Sequence, residues 1–225
     1  MPYMPETREY RSMQIEAMPI DPQANQSRKV RGYFTTYDQP YYLKSDRKRT
    51  PGVIYEIWET VERGAFDNCD MSDVIMQYDH QGRVFARMSN RTLDILPDDS
   101  IGKPMEAELG GTTIGRQLHE EITGGYTREM SFGFSIAEDS SEILEERENE
   151  DGTIWVKVLH RIKAVAKLFD VSAVSIPANP NTAIYSARSM CDGLIDTYEA
   201  ERLHAAEIRK KRAKLALKIK LEVEP

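Results

Sequence analysis

Histidine is scarce in this chain, and one histidine stands where a catalytic base could be mounted. The four histidines are His80, His119, His160 and His204. His80 follows a predicted strand at 74–78 and enters a glycine-containing turn at 79–83. A strand end is a rigid mount, and the loop after it leaves room for a substrate. Because imidazole titrates near neutral pH, it can accept a proton and return it. The sequence therefore indicates His80 as a candidate general base.

The other three histidines have different surroundings. His119 adjoins Leu118 on a predicted helix and precedes two glutamates, which favours a surface position. His204 lies in a charged tail and is expected to be solvated. His160 is at the end of a predicted strand beside Arg161, where either a structural role or a site role is open.

A nucleophile for such a base is less clearly marked. Ser131 lies in the stretch 130–134 (MSFGF), at the start of a predicted strand and after the pair Gly124-Gly125. Bulky neighbours with a glycine between them would hold its backbone closely. A serine hydroxyl is a weak nucleophile unless a base is hydrogen-bonded to it. The pattern alone fits an ordinary strand serine as well.

An acidic residue inside an apolar run is the third unusual feature. Asp170 lies within 168–172 (LFDVS), which otherwise suits a buried strand. A buried carboxylate needs a partner. That partner could be His80, oriented by the carboxylate as an imidazole base, or one of the arginines in a structural ion pair.

Other chemistries lack a signature. The sequence contains no G-x-S-x-G elbow, no H-E-x-x-H pair and no P-loop. Its two cysteines, Cys69 and Cys191, have no metal-type spacing and form no C-x-x-C pair. We therefore expect no metal and no cofactor.

Short strands separated by turns make up most of the predicted structure. They are expected at 29–37, 54–61, 74–78, 84–88, 92–96, 105–109, 130–136, 154–158 and 164–176. Ile114, Leu118 and Ile122 recur every four residues and predict a helix, capped by Thr112 or Thr113 and ended by Gly124-Gly125. The fold class predicted is β-rich α+β, with a small closed or partly closed β-barrel.

The chain divides into three predicted parts. Residues 1–28 are polar and proline-containing, and we expect a mobile N-terminal arm with a short strand at 13–17. Residues 29–182 form the main domain, and 183–225 form a helical, basic C-terminal tail. Within the domain, 38–52 is a basic loop, and 138–151, with eight acids against one base, is expected to be a solvated or disordered loop.

Bulk composition limits the partners. The formal net charge is -7, so no nucleic-acid partner is expected. No apolar run reaches the roughly 18–20 residues that cross a bilayer, so no membrane partner is expected either. The expected location is the cytoplasm of the cell that makes the protein, or an assembly formed there.

Taken together, six stretches resemble the prohead (capsid maturation) proteases of tailed bacteriophages. In chain order they are 30–33 (VRGY), 62–66 (ERGAF), 78–80 (YDH), 130–134 (MSFGF), 168–172 (LFDVS) and Pro177-Ala178. The most specific is 130–134. Two segments, 38–52 and 138–151, are longer than the family pattern needs, and the chain beyond Ile184 lies outside the resemblance.

The resemblance implies a fold, a triad and a set of partners. The family is similar in fold to herpesvirus assemblin, a small β-barrel surrounded by helices. It implies Ser131 as nucleophile, His80 as base and Asp170 as the third member, with His160 as the alternative third member. Backbone N–H groups near the turn after the late strand are candidates for the oxyanion hole.

The implied activity is a serine endopeptidase that matures the prohead inside the host. Its expected partners are the major capsid protein with its scaffold segment and the protease itself, through autocleavage and a possible homo-oligomer. Two rival functions remain open at this stage. One is a non-catalytic prohead scaffold or internal capsid component of the same fold, and the other is a small-molecule-binding β-barrel.

Overall fold

The computed structural model describes residues 9–14, 28–46, 52–174 and 184–223. In these ranges it has ten strands and two helices. The strands are β1 Glu9–Gln14, β2 Lys29–Thr36, β3 Tyr41–Asp46, β4 Val53–Val61, β5 Ile75–Tyr78, β6 Gln81–Arg87, β7 Leu93–Ile95, β8 Gly102–Glu108, β9 Glu129–Glu148 and β10 Ile154–Val174. The helices are α1 Thr113–Thr123 and α2 Ile184–Val223. The predicted β-rich α+β class with a C-terminal helix is confirmed.

The described strands form two sheets, and the predicted closed barrel is not supported. The larger sheet has seven strands in the order β1-β9-β10-β4-β3, with β5 paired to β10 and β6 paired to β5. The smaller sheet has the order β2-β8-β7. Because β10 pairs with β9 along one edge and with β4 and then β5 along the other, the large sheet spreads out from β10. It ends at β1 and β3 and does not return on itself.

The acidic segment 138–151 is mostly strand, so the prediction of a solvated or disordered loop is wrong. β9 runs to Glu148, and its residues from Glu138 to Glu148 pair with β10. The segment looked like a loop because its charged side chains are largely exposed. Its backbone is held by β10, whose Val156 and Val158 are fully buried against a second hydrophobic cluster.

Two hydrophobic clusters support the sheets. The larger contains the aromatic rings of Phe34, Phe66, Phe132 and Phe134, and the last two stack with centroids 4.6 Å apart. The smaller joins β4 and β10 to α2 through residues that include Cys191 and Ile195.

Both helices follow their predictions. Thr112 caps α1, and its hydroxyl accepts a hydrogen bond from the Gly115 N–H at 3.0 Å. Gly124 ends the helix, and Gly125 after it has a positive φ of 74°. The observed span of α2 agrees with the helix expected at 183–222. None of the helices in the described part of the chain is long and apolar enough to cross a membrane.

Part of the predicted N-terminal arm belongs to the sheet. Glu9–Gln14 forms β1, which pairs with β9 in antiparallel fashion. The short strand expected at 13–17 shares only residues 13 and 14 with β1. The rest of that predicted strand, 15–17, lies outside the described residues. The prediction of a basic loop over 38–52 is wrong in part, because Tyr41–Asp46 is the strand β3, whose backbone pairs with β4. Residues 47–51 of that loop lie outside the described residues. The division of the chain into arm, domain and tail stays a prediction.

The smaller hydrophobic cluster provides a stability test of the pairing between β10 and the acidic part of β9. Val158→Ala should lower the free energy of unfolding by about 2 kcal/mol, because it removes two buried methyl groups and leaves a cavity. The matched control is Val84→Ala, since Val84 is 39% exposed and should change stability by less than about 0.5 kcal/mol. Urea denaturation of both variants measures the difference. If the two variants lowered the free energy of unfolding equally, Val158 would not be buried between β10 and α2 as the structure has it.

Candidate active site

His80 lies in a two-residue turn that has a left-handed backbone. The strands β5 and β6 form a hairpin in which Tyr78 pairs with Gln81, so Asp79 and His80 are the central turn residues. Both have positive φ, 49° and 58°, as a type I′ turn requires. The Asp79 N–H donates to the Ala173 carbonyl at 3.0 Å and fixes the turn to β10. The sequence predicted a turn here but gave no sign of this conformation.

Pairing with β10 brings the other two candidates beside that turn. Asp170 on β10 lies between Ile75 of β5 and Gly133 of β9. Two residues later, Ser172 pairs with Ser131 of β9. Since alternate residues of a strand face the same side of a sheet, Asp170, Ser172 and Ser131 present their side chains to one face. The turn of the neighbouring hairpin directs His80 over that face.

Two hydrogen bonds join the three predicted residues. Nδ1 of His80 lies 2.5 Å from Oδ1 of Asp170, and Nε2 lies 2.6 Å from Oγ of Ser131. Ser131 and Asp170 are 0% exposed, and the His80 side chain is 13% exposed. The sequence left open whether the partner of Asp170 is His80 or an arginine. In the structure, His80 is within hydrogen-bonding distance of the Asp170 carboxylate.

The hydrogen bonds determine the tautomer of the imidazole. An ionised carboxylate only accepts hydrogen bonds, so Nδ1 of His80 must carry the proton that Asp170 accepts. Nε2 then has a free lone pair and accepts from the Ser131 hydroxyl. In this arrangement a proton can move from the serine to the imidazole as the oxygen attacks an electrophile.

Ser172 is a site residue that was not singled out from the sequence. Its hydroxyl donates to Oδ1 of Asp170 at 2.6 Å, and the residue is fully buried. This hydrogen bond holds the carboxylate of Asp170 in position beside His80. The available signal was its position two residues after Asp170, which puts both on one face of a strand.

His160 belongs to a different cluster. It is fully buried, with Nδ1 2.9 Å from Oε2 of Glu59 and Nε2 2.9 Å from Oδ2 of Asp139. Glu59 also accepts from the Tyr41 hydroxyl. An imidazolium ion, in which both nitrogens donate, suits two carboxylate neighbours. The two ring nitrogens of His160 thus contact carboxylates on β4 and β9. The carboxylate beside His80 is that of Asp170.

The remaining candidates lie away from this group. His119 is half-buried on α1, and burial, followed by the charge of Arg28, lowers its pKa. His204 is exposed, as expected. Burial raises the pKa of the Cys69 thiol to about 11, so it is protonated at neutral pH and is a poor nucleophile. The turn suggested for the oxyanion hole, with Pro177-Ala178, lies outside the described residues.

Comparison with known proteins identifies the family. A search of curated proteins and a search of solved structures gave no match, so the expected fold similarity to herpesvirus assemblin stays a prediction. The family model described as caudovirus prohead serine protease matches residues 13–194, a span that contains Ser131, His80 and Asp170. That description implies a serine peptidase role in phage maturation and a location in the assembling capsid within the host. The chain therefore belongs to the caudovirus prohead serine protease family.

Proposed function

We propose that this protein is a serine endopeptidase that uses Ser131 as nucleophile, His80 as general base and Asp170 as the orienting acid. The observation that carries the proposal is the continuous chain of hydrogen bonds from Asp170 through His80 to Ser131. Each group can take the donor or acceptor role that its neighbour requires, and the three residues lie inside the span matched by the family.

The proposed reaction has two halves. Oγ of Ser131 attacks the scissile peptide carbonyl while its proton passes to Nε2 of His80. The imidazolium then gives that proton to the leaving amine, and an acyl-enzyme remains. Water attacks the ester, His80 accepts the water's proton, and the proton returns to Ser131 as the acid product leaves.

Burial of Asp170 supports its role in this cycle. During each half-reaction His80 carries a positive charge, and a carboxylate 2.5 Å from Nδ1 stabilises that charge. Because Asp170 is fully buried, water does not screen this interaction strongly. The hydroxyl of Ser172 donates to this carboxylate and holds it in place.

The proposed substrates follow from the family. They are segments of the capsid protein and its scaffold inside the prohead, and the protease itself by autocleavage. The exposed basic segment of α2, with Arg209, Lys210, Lys211, Arg212 and Lys214, is one feature that could draw the enzyme to an acidic scaffold.

Covalent labelling tests the nucleophile and the base. A fluorophosphonate probe should label Ser131 in the native protein, and Ser131→Ala and His80→Ala should abolish that labelling. Each change should lower peptide cleavage by about 10⁴-fold, because the members of such a triad act as a unit. Ser135→Ala is the matched control, since Ser135 lies on the same strand and is partly buried. Folded, capsid-associated protein that takes no label would favour the non-catalytic scaffold.

A second test concerns Ser172 as a positioning residue. Ser172→Ala should lower kcat by about tenfold with KM nearly unchanged, because only the carboxylate of Asp170 loses a hydrogen bond. In a protein that already carries Asp170→Asn, the same change should have almost no further effect on kcat. Independent, additive losses in the double variant would show that Ser172 acts through packing and not through Asp170.

Thiol reagents separate the proposal from cysteine-dependent catalysis. At about pH 7.5 iodoacetamide should leave the cleavage rate unchanged, since a thiol with a pKa of about 11 is almost entirely protonated there. The fluorophosphonate should abolish cleavage in the same preparation. Inactivation by iodoacetamide together with modification of Cys69 would contradict the assignment of Ser131.

A further inference from the structure

The edge of the sheet beside Ser131 is covered by the chain's own N-terminal strand. β9 pairs with β10 along one edge and with β1 along the other. The register of β1 runs from Glu9 opposite Phe134 to Gln14 opposite Glu129, and it places Ser12 directly opposite Ser131. The proposed nucleophile therefore has Ser172 as its strand neighbour on one side and Ser12 on the other.

That edge is a natural docking surface for a peptide. An extended polypeptide binds an open strand edge through main-chain hydrogen bonds, which do not depend on its sequence. An endopeptidase also needs its substrate extended beside the nucleophile. At Ser131 the edge toward β10 is used within the sheet, so the edge that β1 occupies is the one an incoming chain could use.

β1 covers this edge without offering a bond for cleavage. Its pairing continues straight past Ser131 to Glu129, so its backbone stays in the plane of the sheet. The Ser131 side chain stands out of that plane, with Oγ 2.6 Å from Nε2 of His80. A substrate must instead leave the plane at Ser131 to bring its carbonyl to Oγ.

Two further observations indicate a closed state. Ser131 is 0% exposed, so no substrate reaches its hydroxyl in this arrangement. The family match begins at residue 13, so the first four residues of β1, 9–12, lie outside the matched span.

We infer that β1 is an internal competitor of the substrate, a pseudosubstrate strand that must leave β9 before an extended peptide can bind there. This inference rests on the proposed function, since it assigns a regulator to the same site. Because β1 is covalently attached, it competes at an effective concentration on the order of mM. A free peptide reaches the edge efficiently only after β1 has been displaced or removed.

Peptide binding tests the inference without requiring catalysis. In a Ser131→Ala background, deletion of residues 1–14 removes β1, and deletion of residues 1–8 is the matched control that keeps it. A fluorescein-labelled peptide of residues 6–17 should bind the longer deletion at least about tenfold more tightly in fluorescence anisotropy, since it refills the vacated edge. Equal binding by the two folded proteins would overturn the inference.

With Ser131 present, activity should change in parallel. The deletion of 1–14 should react at least about tenfold faster than the deletion of 1–8 with a diphenyl phosphonate carrying a short extended peptide, which phosphonylates Ser131 and releases phenol. The unlabelled 6–17 peptide should slow this reaction again. If peptide binding behaves as expected but Ser131 is never phosphonylated, the proposed function fails while the docking edge stands.

Hydrogen exchange in the full chain covers the case in which the longer deletion does not fold. When the peptidyl phosphonate is attached to Ser131, the amides of residues 9–14 should lose protection, whereas those of α1 should keep theirs. Protection of residues 9–14 that persists with the probe attached would show that β1 is a permanent structural strand, and the inference would be overturned.

Discussion

The pairing of β10 is the constraint on which the rest of the structure depends. This strand has β9 along one edge and, in succession, β4 and β5 along the other. The part of β10 beside β4, Ile154–Ile162, also pairs with the acidic part of β9 and packs against α2. The part beside β5 contains Asp170, and it aligns the strand of Ser131 with the hairpin of His80. A single register therefore positions all three members of the proposed triad.

The surroundings of Asp170 also explain why an acid can be buried at this point of β10. Asp170 is removed from water, but His80 and Ser172 provide hydrogen bonds to the same carboxylate oxygen. A lone buried carboxylate would be costly, whereas one with charge-assisted partners is tolerated and becomes a fixed reference for the imidazole. The other fully buried carboxylate among the described residues, Glu59, follows the same rule, since it has His160 and Tyr41 as partners. The ring of His160 has a carboxylate at each nitrogen, whereas the ring of His80 has a carboxylate at one nitrogen and a serine hydroxyl at the other.

The sequence predicted some of this and missed some, for physical reasons. Asp170 could be found because burial of a charge in an apolar run demands a partner. α1 could be found because its apolar spacing, its threonine cap and its terminal glycines agree. Ser131 has no such local signal, since an activated serine and an ordinary one look alike until the base is placed. The acidic part of β9 was misjudged because charge describes its side chains, whereas its backbone is governed by a partner strand that is adjacent only in three dimensions.

The two-residue turn that holds His80 has a consequence for how relatives of this chain can vary. Asp79 and His80 are the only two residues that connect the paired strands β5 and β6. No additional loop residues are therefore available to adjust the orientation of the imidazole. One inserted or deleted residue would change the turn type and rotate the ring away from the face that presents Ser131. Length variation among active relatives should therefore be absent from this turn, and the spacing from Tyr78 to Gln81 should stay fixed. That spacing is a better anchor for aligning distant sequences than the identities of the surrounding residues.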